Sequence, residues 1–348
     1  MATTYAIPDG RVAMAATTYT GNGTSQAVSN AVNGVSMQPD FVWTKTRNAA
    51  SSHRLTDSVR GVSLVLYSDG TYAEGTEAQG LLSFNTNGYT AGTGSSNQNG
   101  TTYVGWQWKA GGTAVSNTAG ILTSQVSANT TAGFSVCTYT APASSQANSF
   151  GHGLGVAPSM VIAKNRSSGT GGLGWAVYHT SLGANQYLSL NSTAAASTSS
   201  GYWGSGMTST VVGLPTAASS TGYDNCTGNM VAYCFASIDG YSKAFSYTGN
   251  GSSDGVFVYL GFRARWLLIK ETGNANSWEL FDTSRDPYNI SSQRLFPNDS
   301  AAEATTASLD ILSNGIKFRV GNTGINRSGG TYIGFAVAEN PFKFANAR

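Results

Sequence analysis

The clearest pattern in the chain is a period-two alternation of large apolar and small residues in three short segments. Val104, Trp106 and Trp108 alternate along TTYVGWQW, Val231, Tyr233 and Phe235 along GNMVAYCF, and Ile333, Phe335 and Val337 along GTYIGFAV. Such alternation marks a β-strand with one face against a core. The intervening Gly105, Ala232 and Gly334 are small in every copy. They predict close approach of another segment on the opposite face and a central place for this strand in its sheet. Each segment closes a repeat. A repeat opens with YTGNG at Tyr19 and Tyr247, or the looser YTAP at Tyr139, and continues with an apolar strand ending in Lys: PDFVWTK to Lys45, APSMVIAK to Lys164, ARWLLIK to Lys270. The Lys follows its opening Tyr by 26, 25 and 23 residues.

Elsewhere, runs such as YLSLNST from Tyr187 and GIKFRV from Gly315 are punctuated by Gly, Asn, Ser and Thr at about 8 to 12 residues, the spacing of sandwiches and barrels. Only residues 299–314 offer a helical pattern. The expected fold is all-β, with three tandem jelly-roll-like antiparallel β-sandwich modules. The boundaries read as an N-terminal docking arm (1–18), repeats at 19–112, 113–243 and 244–340, and a C-terminal tail (341–348). The joins KAGGTAVS (from Lys109) and SIDGYSK (from Ser237) are short, which predicts a rigid string of modules.

Composition narrows the function. Charged residues make up 10% of the 348, against about 25% in ordinary domains, and Ser, Thr, Asn and Gly fill their place. A net charge of +2 gives no basic face for nucleic acid. No run of about 18 apolar residues exists to cross a membrane, and the start MATTYAIPDGRVAMAA has no apolar core of a secretory signal. Cys137, Cys226 and Cys234 fit no metal spacing and, being odd in number, no disulfide framework; they read as core residues.

Several longer motifs carry a resemblance. YTGNG, VSANTTAGFS (Val126–Ser135), HGLGVAPSMVIAKNRSS (His152–Ser168), WAVYHTSLG (Trp175–Gly183) and YIGFAVAENPF (Tyr332–Phe342) together resemble a repeat family of tailed-bacteriophage structural proteins, notably marine ones, found as tail-fibre or virion components. The modules are also similar to concanavalin-A-like (laminin-G-like) sandwiches. The resemblance implies a virion-surface protein, assembled in the host bacterial cytoplasm. It names no ligand, since fold likeness to lectins does not make a sugar site.

Candidate sites are few. Asp57 and Arg60 in LTDSVRG, and Asp282 and Arg285 in LFDTSRD, read as an Asp-capped turn closed by an ion pair, in preference to a calcium site, which needs six to eight oxygens. His179 and Leu182 replace the pair in the second repeat. The strand-end Lys45, Lys164 and Lys270 read as solvent-facing edge protection. GTGGLG at Gly169 lacks the Lys-Ser/Thr of a phosphate loop. His53, His152 and His179 form no nucleophile–base–orienter set, and no carboxylate pair is signalled. No catalytic residue, metal or cofactor is expected, and the protein is read as not an enzyme. Tyr202 and Trp203, in the Gly- and Ser-flanked SGYWGSGM, are the candidate exposed platform for a host-surface glycan.

The function expected is a non-enzymatic virion protein, tail-fibre-like, an adhesin touching the host through many weak contacts. The rival is a capsid-decorating or tail-collar protein that braces neighbouring subunits. Partners would be other virion proteins, reached through residues 1–18 (Tyr5, Val12, Met14) and through Phe342 and Phe344 of the tail. A homotrimer is the expected assembly, unless three modules in one chain imitate one.

Overall fold

The structure is a computed structural model that describes residues 7–141, 148–167, 173–204, 206–215, 228–321 and 324–340. It is all-β. Apart from one 3-10 turn at Gly10–Val12, every regular element among the described residues is a strand. Each repeat contributes four strands to an inner sheet. They are β1 (Met14–Thr20), β2 (Phe41–Thr46), β3 (Arg54–Asp57) and β4 (Thr102–Trp108) in the first repeat. The second supplies β5 (Phe134–Ala141), β6 (Met160–Asn165), β7 (Trp175–His179) and β8 (Gly228–Phe235). The third supplies β9 (Ser242–Thr248), β10 (Arg263–Glu271), β11 (Glu279–Asp282) and β12 (Thr331–Asn340).

The strand order is the same each time: β1-β4-β2-β3, β5-β8-β6-β7 and β9-β12-β10-β11, all antiparallel. Even the registers agree. Tyr19, Tyr139 and Tyr247 lie opposite Tyr103, Met230 and Tyr332. Phe41, Met160 and Trp266 lie opposite Trp108, Phe235 and Val337. The closing strand is central in every sheet, and its small residues are needed there. A Cβ on Gly105 would come 2.3 Å from the Tyr89 hydroxyl, and one on Gly334 would come 2.4 Å from the Phe245 ring. A smaller sheet backs each inner one: Gln26–Ser29, Gly88–Ala91 and Leu81–Asn85 in the first repeat, Asn148–Gly151 with Val211–Leu214 in the second, and four strands running from Phe257–Tyr259 to Ser291–Arg294 in the third.

The large alternating residues do not face these backing sheets. They face one another across the repeats. Phe41 stacks on Tyr233 at 4.3 Å, Trp108 meets Trp266 edge-on at 5.3 Å and Phe235 at 6.1 Å, and Phe235 meets Phe335 at 5.4 Å. One apolar cluster therefore runs through all three inner sheets. The first repeat's own sandwich core is small by comparison, built on Val28, Val42, Leu81, Tyr89 and Ala91. Fully burying a large apolar side chain contributes about 1.5–3 kcal/mol, so much of the burial energy sits between repeats. The expected string of modules is instead a closed ring.

Three local expectations also change. Residues 14–18, read as part of a docking arm, lie in β1, and Ile7 is buried, with Gly10 packed so tightly that a Cβ would touch Ala338 O at 2.9 Å. Ser242 and Lys243, placed in the second repeat, belong to β9 of the third. Within 299–314, Ala304–Leu312 is a strand, which reverses at Ser313-Asn314 into a hairpin with Gly315–Phe318. The tail 341–348, residues 1–6, Cys226 and most of GTGGLG lie outside the described residues.

Candidate functional site

The Asp/Arg positions lie at the seams of the ring. Asp57 Oδ1 accepts the backbone N–H groups of Val59 and Arg60 at 3.1 and 2.9 Å, while Oδ2 accepts from Arg60 Nε at 2.5 Å. Both side chains are fully buried. Asp282 and Arg285 repeat this geometry: Oδ1 accepts from the N–H groups of Ser284 and Arg285, and Oδ2 from Arg285 Nε at 2.5 Å. With both oxygens engaged by N–H donors, neither carboxylate is free for a cation. Among the described residues no cluster of His, Cys, Asp or Glu could hold a metal ion.

Each Asp also accepts a donor from the next repeat. Tyr233 Oη donates to Asp57 Oδ2 at 2.9 Å, and Trp106 Nε1 donates to Asp282 Oδ2 at 2.9 Å. Tyr233, Trp106 and Phe335 occupy one equivalent strand position, and Phe335 has nothing to donate. The residue facing Phe335's strand is His179, the very place where the Asp is missing. His179 Nδ1 accepts from the Ser181 N–H at 3.1 Å, so the neutral ring carries its proton on Nε2 and donates to Gly334 O at 3.0 Å. Burial lowers its pKa to about 4, which keeps it neutral. An Asp here would be a buried charge with no donor from across the seam and no Arg beside it.

The surrounding residues vary in concert. At the first seam Glu74 bridges Arg60 Nη1 (2.9 Å) and Arg166 of the second repeat (2.9 and 2.8 Å). At the third, Glu303 bridges Arg285 Nη1 (2.9 Å) and Arg47 of the first repeat. The Glu backbone N–H pairs with the Arg carbonyl in both, and at the second seam Ala196 N–H pairs likewise with Thr272 O at 2.8 Å. Asp-Arg-Glu-Arg at two seams thus becomes His-Leu-Ala-Thr at the other. Burial opposes the Arg60 charge, but Asp57, Tyr233 and Glu74 more than offset it and raise its pKa.

The strand-end lysines are seam residues too. All three are buried, contrary to the edge-protecting reading. Lys45 Nζ donates to Ala301 O (2.8 Å), Lys164 Nζ lies 3.4 Å from Thr71 O, and Lys270 Nζ donates to Thr193 O (3.2 Å), each crossing to the neighbouring repeat. They point across a seam because the sheet edge expected to meet water meets another repeat. Burial lowers the pKa of Lys45 and Lys270 to about 8. The indole N–H groups of Trp175 and Trp278 cross in the same sense, to Tyr67 O and Ser189 O at 2.8 and 2.9 Å.

The Tyr202–Trp203 pair is not an exposed platform. Trp203 is only 4% exposed and packs edge-on to Tyr178 at 6.0 Å, in the second sandwich core. Tyr202 is half-buried and stacked on Tyr187 with ring centroids 3.4 Å apart. Flanking glycines made the segment read as an open loop, yet they let it lie flat: a Cβ on Gly204 would come 2.4 Å from Leu214 O. Beside Trp203 runs a groove of about 400 Å³ bounded by Tyr178, Asn185, Gln186, Gly206 and Met207. The histidines are equally internal. Burial lowers the pKa of His53 and His152, and Cys137 and Cys234 are buried free thiols.

Sequence reasoning missed Asn97 and Asn326. Their amide groups hold the YTGNG loops by bonding Asn22 and Thr24, and Asn250 and Ser252, respectively. Each stands six residues before the closing-strand Tyr, in NQNGTTY (Asn97–Tyr103) and NRSGGTY (Asn326–Tyr332), a shared spacing that could have found them.

A family model described as Domain of unknown function (DUF7483) matches residues 12–341, and the chain belongs to that family. No curated protein and no solved structure matches the chain.

Proposed function

We propose that this member of the DUF7483 family is a non-enzymatic structural protein of a tailed-bacteriophage virion, a tail-fibre-like knob that contacts the host surface. The observation that carries the reading is the closed ring. Three like repeats share one aromatic core and three seams, which makes a rigid body with the approximate symmetry of a trimer in one chain. A trimeric fibre would offer a terminal knob the same symmetry. The buried Asp, Arg, Glu, Lys and His side chains serve seams and turns, which supports a scaffolding and binding role over catalysis. The scarcity of charge fits a surface that recognises neutral, hydroxyl-rich material and is insensitive to salt. Because each repeat's seam face is already occupied by its neighbour, we read the free protein as a monomer that gains avidity from several copies per particle.

Gold labelling of intact virions with an antibody to this chain tests the reading. Label at the tail tip is expected, with purified protein binding host cells and blocking adsorption. Label spread over the shell would establish the decorating role instead, and virions free of label would overturn both.

A further inference from the structure

We propose that the open edge of the third repeat's outer sheet receives an extended segment of a partner polypeptide, which joins the sheet as an added strand; that the partner is another virion protein rests on the reading above. The edge is the strand Phe257–Tyr259, last in a sheet that runs through Gly315–Phe318 and Ala304–Leu312 to Ser291–Arg294. Its ladder fixes which backbone groups face outward. Phe318 N–H donates to Val256 O at 3.1 Å and Leu260 N–H to Asn314 O at 2.9 Å, with Val258 opposite Ile316 between them. Hydrogen-bonded positions alternate along an antiparallel ladder, so the N–H and C=O groups of Phe257 and Tyr259 turn away from the sheet. Lys243 Nζ donates to one of them, Tyr259 O, at 3.0 Å. Phe257 N–H, Phe257 O and Tyr259 N–H remain to meet an incoming backbone.

The second repeat shows the occupant. Its equivalent strand is Asn148–Gly151, where Phe150 stands opposite Val212 as Val258 stands opposite Ile316, so Ser149 matches Phe257. The chain itself fills this edge. Leu122 forms a parallel bridge with Phe150, its N–H donates to Ser149 O at 2.8 Å, and a Cβ on Gly120 would come 2.5 Å from that oxygen. An extended backbone therefore fits the edge, and the acceptor it uses is the one Phe257 O offers. Among the described residues no segment bridges the corresponding side of Phe257–Tyr259. The first repeat's edge, Gln26–Ser29, differs in its side chains: Ala27 and Ser29 stand where the third has Phe257 and Tyr259, which are 43% and 59% exposed. The run VFVYL (256–260) is apolar and β-prone, with neither Pro nor charge to blunt it, and such an edge is a template for another chain. The complement of its two aromatics is a strand with apolar side chains two residues apart. Lys317 and Arg319 beside it are already paired, with Asp254 at 2.7 Å and Asp310 at 2.5 Å, so neither calls for an acidic partner.

The test uses the full chain, ¹⁵N-labelled, and a synthetic peptide, NTAGILTS (residues 117–124), the sequence that covers the second repeat's edge. The backbone amide signals of Phe257 and Tyr259 should move at millimolar peptide, and their hydrogen exchange should slow. A peptide carrying Leu122→Pro, which lacks the donating N–H, should leave both unchanged. Phe257→Ala with Tyr259→Ser gives the third edge the first repeat's side chains and should weaken binding about tenfold. Tyr288→Ser, an exposed change just before the strand Ser291–Arg294 at the opposite edge, should not alter it. No shift at residues 257–259, equal binding of the Pro peptide, or an equal loss with Tyr288→Ser would overturn the edge. Self-association of the free protein that the double variant abolishes would overturn it in favour of a second copy as occupant. Deuterium exchange over residues 256–260 in intact virions separates this from the wider reading. Slower exchange there than in free protein is expected. Equal exchange, in particles that label for the protein, sinks the virion partner and leaves the virion role standing; particles without label sink that role and leave the peptide result to decide the edge.

Discussion

Tyr233→Phe is the sharpest probe of the seams. It deletes one hydroxyl that donates to Asp57 Oδ2 at 2.9 Å and accepts from Arg60 Nη2 at 3.1 Å, and it leaves the ring in its place against Phe41 and Trp175. Hydrogen bonds to charged groups contribute about 1.5–3 kcal/mol. Both partners retain other contacts: Asp57 Oδ2 still accepts from Arg60 Nε, and Arg60 Nη2 still donates to Leu55 O. The loss should therefore amount to one such bond, about 2 kcal/mol, and not to an orphaned charge. Urea unfolding followed by tryptophan fluorescence would read it as a lower midpoint at unchanged slope. Phe335→Tyr at the second seam supplies the contrast. It adds the hydroxyl where His179 and Leu182 offer no carboxylate, so it should also destabilise, by about 1–3 kcal/mol. A cost below about 0.5 kcal/mol for Tyr233→Phe, the level of an ordinary surface change, would refute the claim that this bond ties the first seam. So would additivity with Asp57→Asn, since groups in one network should couple.

Two further outcomes follow from the seams. Arg60→Leu alone strands buried Asp57 and should cost about 3–5 kcal/mol, whereas converting the whole first seam to the second's residues (Asp57→His, Arg60→Leu, Glu74→Ala, Arg166→Thr, with Tyr233→Phe) should cost less than that single change; a larger cost in the set, by denaturant titration, would count against interchangeable seams. Acid should loosen the second seam: the folded pKa of His179 is lowered to about 4 from 6.5, so its contribution is whole above pH 6.5 and fades as pH falls towards 4, reaching roughly 3 kcal/mol. His179→Gln, which keeps a donor for Gly334 O, should lose less stability than wild type over that interval, and equal losses would sink the account.

The inner sheets were legible because their signal is local. Period two along the closing strands, the small residues between, and the fixed step from Tyr to Lys all describe one strand and its neighbours. The seams were not, because a repeat motif says which positions correspond and is silent on which repeat they touch. Trp106 meets Asp282 across 176 residues. A readable trace did exist: the one repeat lacking the Asp and Arg could be matched with the one closing strand carrying Phe335 in place of Tyr or Trp. The lysines misled because a strand-end Lys ordinarily meets water. Trp203 misled because glycine and serine, which usually flag an exposed loop, here allow tight packing under Leu214.

The shared aromatic centre has a geometric consequence for recognition. With their inner faces committed to one another, the three outer sheets look outward in different radial directions, so a flat surface can meet only part of the ring at once. Repetition within the chain therefore does not present three parallel contacts. A repeat could change its outer loops to suit a new surface while the other two hold the frame, which gives the second repeat, with its unmatched Trp203 segment, freedom to diverge without unseating its neighbours.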